Sequence, residues 1–157
     1  MKRIAMAAAF ALAVLAVHAD DQDACGFDRF YVGVAGSAVL PQGGGRMDKR
    51  AGAAFRMGWY ASELFAVEGE AMALGNRTGL AARGLWHWWG YERLDPYFMF
   101  GARGWIDDGQ AGPCGGLGTF YHLTESLSLR IDADATLGLD TRREMVYSLC
   151  AGLQMSF

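Results

Sequence analysis

The side chains that could do chemistry are few. Histidine occurs at His18, His87 and His122, the candidate nucleophile and acids are Ser37 and the Asp107–Asp108 pair, and the thiols are Cys25, Cys114 and Cys150. Acyl transfer or deacylation needs a histidine base beside a serine or an acid, and a metal site needs His, Cys or carboxylate ligands at coordinating spacing. No such spacing occurs. Gly43–Gly44–Gly45 is glycine-rich, but no helical pattern follows it to present an N-terminus to phosphate. The remaining chemistry is ionic. Glu68 and Glu70, then Arg130, Asp132 and Asp134, recur at two-residue spacing, and Arg56, Arg83 and Arg103 sit in similar alternating surroundings. Charges two residues apart share one face of a strand, where they either pair or line a watery path. Which they do depends on the elements that carry them.

Those elements read as strands. From Leu127 to Leu137 every odd position is apolar and every even one polar or charged, a period of two that fits only a strand with differently solvated faces. The same reading gives eight strands, about 29–40, 50–60, 64–74, 79–89, 97–106, 111–121, 127–137 and 145–157. Turn chemistry separates them: Pro41 to Gly45, Gly75–Asn76, Leu94–Asp95–Pro96, Asp107–Asp108–Gly109 and Leu123 to Ser126. Short links favour an antiparallel meander, and eight long strands hide their edges by closing into an up-and-down barrel.

The chain has 157 residues, 52% of them apolar, which suits one folded domain. Lys2 and Arg3 precede an apolar run of 14 residues, Ile4 to Val17, and Val17–His18–Ala19 resembles a peptidase site. This predicts a signal peptide over 1–19 cleaved before Asp20, too short for a spanning helix of roughly 20 apolar residues. A periplasmic N-terminal segment over 20–28 and a β-barrel over 29–157 are then expected. The formal net charge of −3 offers no basic footprint for nucleic acid. Three cysteines in an exported chain allow at most one bridge.

Alternation alone does not say which face is outside, but aromatic position does. With both termini at one end, a girdle there falls at the start of odd strands and the end of even ones. Phe30, Tyr31, Trp59, Tyr60, Phe65, Trp86, Trp88, Trp89, Tyr97, Phe98, Phe100, Phe120, Tyr121 and Phe157 all do so. That is the placement expected of rings at a bilayer headgroup level, and a soluble lipocalin-like barrel has no reason for it. Strands of ten to thirteen residues also suit the roughly 9–11 that a tilted strand needs to cross. The opposite parity then puts Arg56, Glu68, Glu70, Arg83, Arg103, Arg130, Asp132 and Asp134 in the lumen, beside small Gly33, Ala35, Gly116 and Gly118. An eight-stranded barrel is narrow enough for its side chains to fill. Four positive and four negative charges there predict an ion-pair network, the alternative being a water-filled pore with the same lining.

A leader, eight alternating strands, an aromatic girdle and the ending Leu149-Cys-Ala-Gly-Leu-Gln-Met-Ser-Phe157 resemble the small outer-membrane β-barrel families typified by the OmpA membrane domain and OmpX. Tyr147, Leu149, Ala151, Leu153 and Met155 before Phe157 are similar to those families' C-terminal assembly signal, and Tyr121 to Leu127 resembles their turn between aromatic and apolar strand ends. The resemblance implies an integral protein of the cell outer membrane, monomeric and without cofactor. It also implies contact with outer-membrane lipid and, during biogenesis, with the barrel-assembly machinery and periplasmic chaperones.

Two departures shape the expected function. No peptidoglycan-binding domain follows Phe157, and the predicted outer loops near 41–49, 75–78, 107–110 and 138–144 are short beside those of adhesion relatives. Lipid-modifying chemistry is not expected, because His87 and His122 fall near the expected periplasmic ends of strands four and six, away from outer-leaflet lipid, while Ser37, Asp107 and Asp108 fall toward the other end. The histidines are then interfacial polar side chains. The expectation is a structural or interaction role ahead of a small-solute or ion pore.

Overall fold

Successive side chains of each extended segment point to opposite faces, and eight such segments satisfy their backbone groups by pairing in a ring. The computed structural model describes residues 30–41, 50–75, 77–88, 93–107, 109–138 and 145–157. Its strands are β1 (Phe30–Pro41), β2 (Arg50–Ser62), β3 (Phe65–Leu74), β4 (Arg77–His87), β5 (Leu94–Trp105), β6 (Gln110–His122), β7 (Leu127–Leu137) and β8 (Met145–Ser156). Each pairs antiparallel with the next, and β1 pairs with β8 to close the barrel. Phe157 N donates to Phe30 O at 2.8 Å, so both strand termini lie at one end. We call this the terminal end and its opposite the loop end. The predicted segment 1–28, with its leader, cleavage site and Cys25, lies outside the described residues, as do Trp89 and most of the predicted loop residues.

Leu94–Asp95–Pro96, predicted as a turn, is instead the first part of β5, paired with Tyr121, Phe120 and Thr119. Proline is tolerated because β4 ends at His87, opposite Tyr97, leaving Pro96 where the ladder on that side is finishing. At the loop end, Gly75 adopts φ 60° in the tight link between paired Leu74 and Arg77, a left-handed conformation that suits glycine.

Burial is the reverse of a soluble barrel. On β7, Ser128, Arg130, Asp132, Asp134 and Thr136 are buried while Leu129 and Ile131 are exposed, Ile131 at 47%. The lumen is stacked in three layers. Tyr31, Ala66, Leu85, Tyr97, Met99 and Phe120 form an apolar cluster near the terminal end. Toward the loop end, Ala35, Val39, Ala54, Met72, Leu74, Trp105 and Cys150 form a second. The charges lie between. Along β3 the order is Ala66, then Glu68 and Glu70, then Met72 and Leu74.

Candidate functional site: the charged lumen

All eight predicted lumenal charges come together, each 4% exposed or less. They reach the axis from β2, β3, β4, β5 and β7, because inward parity on each of those strands carries them at the same height. Arg56 donates from Nε to Glu70 Oε2 at 2.8 Å and from Nη1 to Asp132 Oδ2 at 2.7 Å. Arg83 Nη2 donates to Glu68 Oε1 at 2.8 Å and Glu70 Oε2 at 2.5 Å. Arg103 holds Asp134 with Nη1 at 2.6 Å and Nη2 at 2.7 Å, and reaches Glu70 Oε1 at 3.0 Å. Arg130 binds Glu68 through both terminal nitrogens and Asp132 Oδ2 through Nε at 3.0 Å.

Every oxygen of the four carboxylates therefore accepts at least one hydrogen bond. Unpaired, each buried charge would cost on the order of several kcal/mol even after relaxation; pairing that satisfies every carboxylate oxygen makes the layer tolerable, with Arg83 Nε and Arg103 Nε left buried without a partner. Arg56 and Asp132, 76 positions apart, meet only because the barrel closes.

Neutral side chains complete the network. Tyr31 donates its hydroxyl to Glu68 Oε2 at 2.9 Å, and Ser148 Oγ donates to Asp134 Oδ1 at 2.8 Å while accepting from Arg103. Glycine provides the room: a Cβ on Gly58 would fall inside the Tyr31 ring, and one on Gly118 inside the Tyr97 phenol. A small gap in the wall, lined by Gly33, Ala35, Arg56, Arg130, Gly152 and Gln154, has no space for a water molecule.

The girdle splits by parity. Trp59, Trp86, Trp88, Phe98, Phe100, Tyr121 and Phe157 are exposed on the outer wall, Trp86 at 51%, with Phe30 and Phe65 half-buried beside them. Tyr60 does not belong to that ring. Its side chain packs inward against the terminal-end cluster, 5.4 Å from the Tyr31 ring centre, and Tyr31, Tyr97 and Phe120 are likewise buried in the lumen. The reason is alternation itself: Phe30 and Tyr31, Trp59 and Tyr60, Tyr97 and Phe98, and Phe120 and Tyr121 are neighbours, so one of each pair must face in. Tyr147, Leu149, Leu153, Met155 and Phe157 of the predicted assembly signal share the outer face.

One histidine departs from expectation. His87 is not interfacial but 3% exposed, with Nδ1 2.7 Å from Asp95 Oδ2 and its ring parallel to Phe120. His122 Nδ1 lies 2.8 Å from Ser128 Oγ. Parity carried the signal, since His87 continues the inward series Arg83, Leu85. Ser37 lies on the loop-ward part of β1 opposite Gly52 and Cys150, at the other end of the lumen from His87. Among the described residues no group of three or more His, Cys, Asp or Glu is arranged to hold a metal.

A closed barrel with charges within and an apolar, aromatic-ringed wall without is a transmembrane β-barrel, since closure leaves no strand edge unpaired in lipid. Solved structures of small outer-membrane barrels share this fold. The chain is similar to the outer membrane protein OprG of Pseudomonas aeruginosa, with TM-score 0.62 and 12% identity over 82% of this chain and 96% of that one. It is similar to Neisserial surface protein A at TM-score 0.60 and 15% identity, over 82% and 97% of the two chains. The N-terminal β-barrel domain of Pseudomonas aeruginosa OprF gives TM-score 0.57 and 14% identity, over 80% and 97%. Neither a protein-family model nor a curated protein matches the chain.

Proposed function

We propose that the chain is an integral protein of the bacterial outer membrane, acting as a monomer in a structural or interaction role, with a lumen that does not conduct and no enzymatic activity. The observation that carries this reading is the interlocked layer of four arginines and four carboxylates between two apolar clusters. Such a layer substitutes for a hydrophobic core, and the apolar clusters on either side oppose ion passage. The exported leader read from Lys2 to Ala19 and the outward set Tyr147, Leu153, Met155 and Phe157 support delivery by periplasmic chaperones to the barrel-assembly machinery. Outer-membrane lipid is then the partner of the exposed wall.

The test is single-channel recording of the refolded mature chain in planar bilayers, with barrel integrity checked by the gel mobility of unheated samples. Silence with an intact barrel is expected. Steady ion-selective current would replace this reading with that of a small-solute pore.

A further inference from the structure

The rim at the terminal end is not uniform around the barrel. In the sector from β3 to β5 it exposes a carboxylate, Glu63, in the β2–β3 turn, an indole, Trp88, just past β4, and a guanidinium, Arg93, just before β5. Backbone bonds tie these pieces together: His87 N donates to Leu64 O at 2.9 Å, and Trp88 N donates to Pro96 O at 3.2 Å. Neither Glu63 nor Arg93 is held in an ion pair among the described residues. The β6–β7 turn also exposes a carboxylate, Glu125, but Leu123 to Ser126 include no cation.

Trp88 is not an isolated ring. It lies 4.4 Å from the Phe98 ring at an interplanar angle of 41°, yet the two residues remain 46% and 42% exposed. Beside them Trp86 packs edge-on to Phe65. Aromatic faces open at headgroup level attract a cation through the negative face of the ring, most strongly at tryptophan. A free carboxylate beside them favours the same charge, and a free guanidinium on the far side favours a phosphate. Carboxylate, indole and guanidinium in that order match a headgroup that carries both an ammonium and a phosphate. An anionic headgroup without the ammonium gains nothing from Trp88 and meets the like charge of Glu63.

We propose that the rim from Glu63 through Trp88 to Arg93 is a headgroup site for a zwitterionic phospholipid, with the ammonium against Trp88 and Glu63 and the phosphate against Arg93. The proposal rests on the membrane-barrel reading above and names the lipid class that the wall meets at its terminal end.

The test uses the full mature barrel refolded into vesicles of equal phosphatidylethanolamine and phosphatidylglycerol with matched acyl chains. Insertion is checked by co-flotation and by the gel mobility of unheated samples, and the lipids retained on the released barrel are counted by native mass spectrometry. Expected is a preference of about threefold to tenfold for phosphatidylethanolamine, since exposed ring–cation and ion contacts are each weak and act together here. Glu63→Gln and Trp88→Leu each lower that preference by about twofold to fivefold, on the same magnitudes. Arg93→Gln lowers retention of both lipids, because both carry the phosphate. Glu125→Gln leaves the preference unchanged. Equal retention of the two lipids by the wild type, or a preference that survives either Glu63→Gln or Trp88→Leu undiminished, overturns the site. A chain that does not insert defeats the membrane reading itself, whereas an inserted barrel without the preference defeats only the headgroup site.

Discussion

Arg130 points its Nε at the Tyr97 hydroxyl, 2.7 Å away, while its guanidinium carbon stands 5.0 Å from the centre of that ring. One side chain therefore joins the charged layer to the terminal-end aromatic cluster. The Tyr97 oxygen in turn lies 3.3 Å from Asp132 Oδ2, so the phenol accepts from a cation and donates to an anion. Networks of this kind are cooperative, and only double-mutant cycles apportion them.

The first prediction follows from the partners of Arg130. It binds Glu68 and Asp132, and no bond joins it to Glu70, whose arginines are Arg56, Arg83 and Arg103. Arg130→Ala should destabilise the barrel by about 3–5 kcal/mol, because it breaks a buried pair and leaves carboxylate charge short of a partner. Adding Glu68→Ala or Asp132→Ala should return part of that loss. Adding Glu70→Ala should return less, because Glu70 reaches Arg130 only indirectly, through Arg56 shared with Asp132 and Arg83 shared with Glu68. Urea unfolding in micelles measures the three cycles, and equal coupling to all three carboxylates would contradict the geometry.

Much of this arrangement is legible in the sequence. β7 matches its predicted span, 127–137, because strict alternation over eleven residues has one solution. The eight lumenal charges are legible for the same reason. Which arginine meets which carboxylate is not, because Arg56 finds Asp132 only through barrel closure. Counting rings by their place along a strand also hides the inward turn of Tyr60, and reading Asp95–Pro96 as a turn hides the partner of His87. In both cases a local signal, aromatic clustering or proline, masks the parity that decides the face.

Close packing gives the second prediction. A methyl group at Gly58 would occupy the Tyr31 ring, whereas one at Gly69 would meet nothing nearer than Met57 Cγ at 4.0 Å. Gly58→Ala should cost about 1–3 kcal/mol through overpacking. Gly69→Ala on the outer wall should be neutral or stabilising by up to about 1 kcal/mol, as restriction of the unfolded chain predicts. In Tyr31→Leu the Gly58→Ala penalty should shrink. An undiminished penalty there would mean that the ring is not what fills the space.

The apolar wall gives the third. Ile131 is exposed between Leu129 and Ala133 on β7, so Ile131→Arg should cost about 2–4 kcal/mol if the position lies at the bilayer midplane. Glu125→Arg in the β7-proximal turn, exposed at the terminal end, should be close to neutral. Refolding yield and unfolding free energy in lipid vesicles read both. Tolerance of arginine at Ile131 would place water, not lipid, against that face.

The last prediction concerns Cys114 and Cys150, both buried and both free thiols. Cys114 sits opposite Thr136 and Cys150 opposite Asp132, on the two flanks of β7. Two strand spacings of roughly 4.8 Å already exceed the roughly 7 Å between Cα atoms that a disulfide tolerates, and the offset of Asp132 from Thr136 along β7 adds to it. Neither thiol should therefore bridge to the other under oxidising conditions. Both should resist a water-soluble maleimide in the folded barrel and react once urea unfolds it. Peptide mass spectrometry after labelling checks both claims at once. A Cys114–Cys150 cross-linked peptide from native protein would require a different register for β6, β7 and β8, and prompt labelling of either cysteine in the folded state would mean that water reaches the lumen past the apolar cluster of Val39, Met72, Leu74 and Trp105.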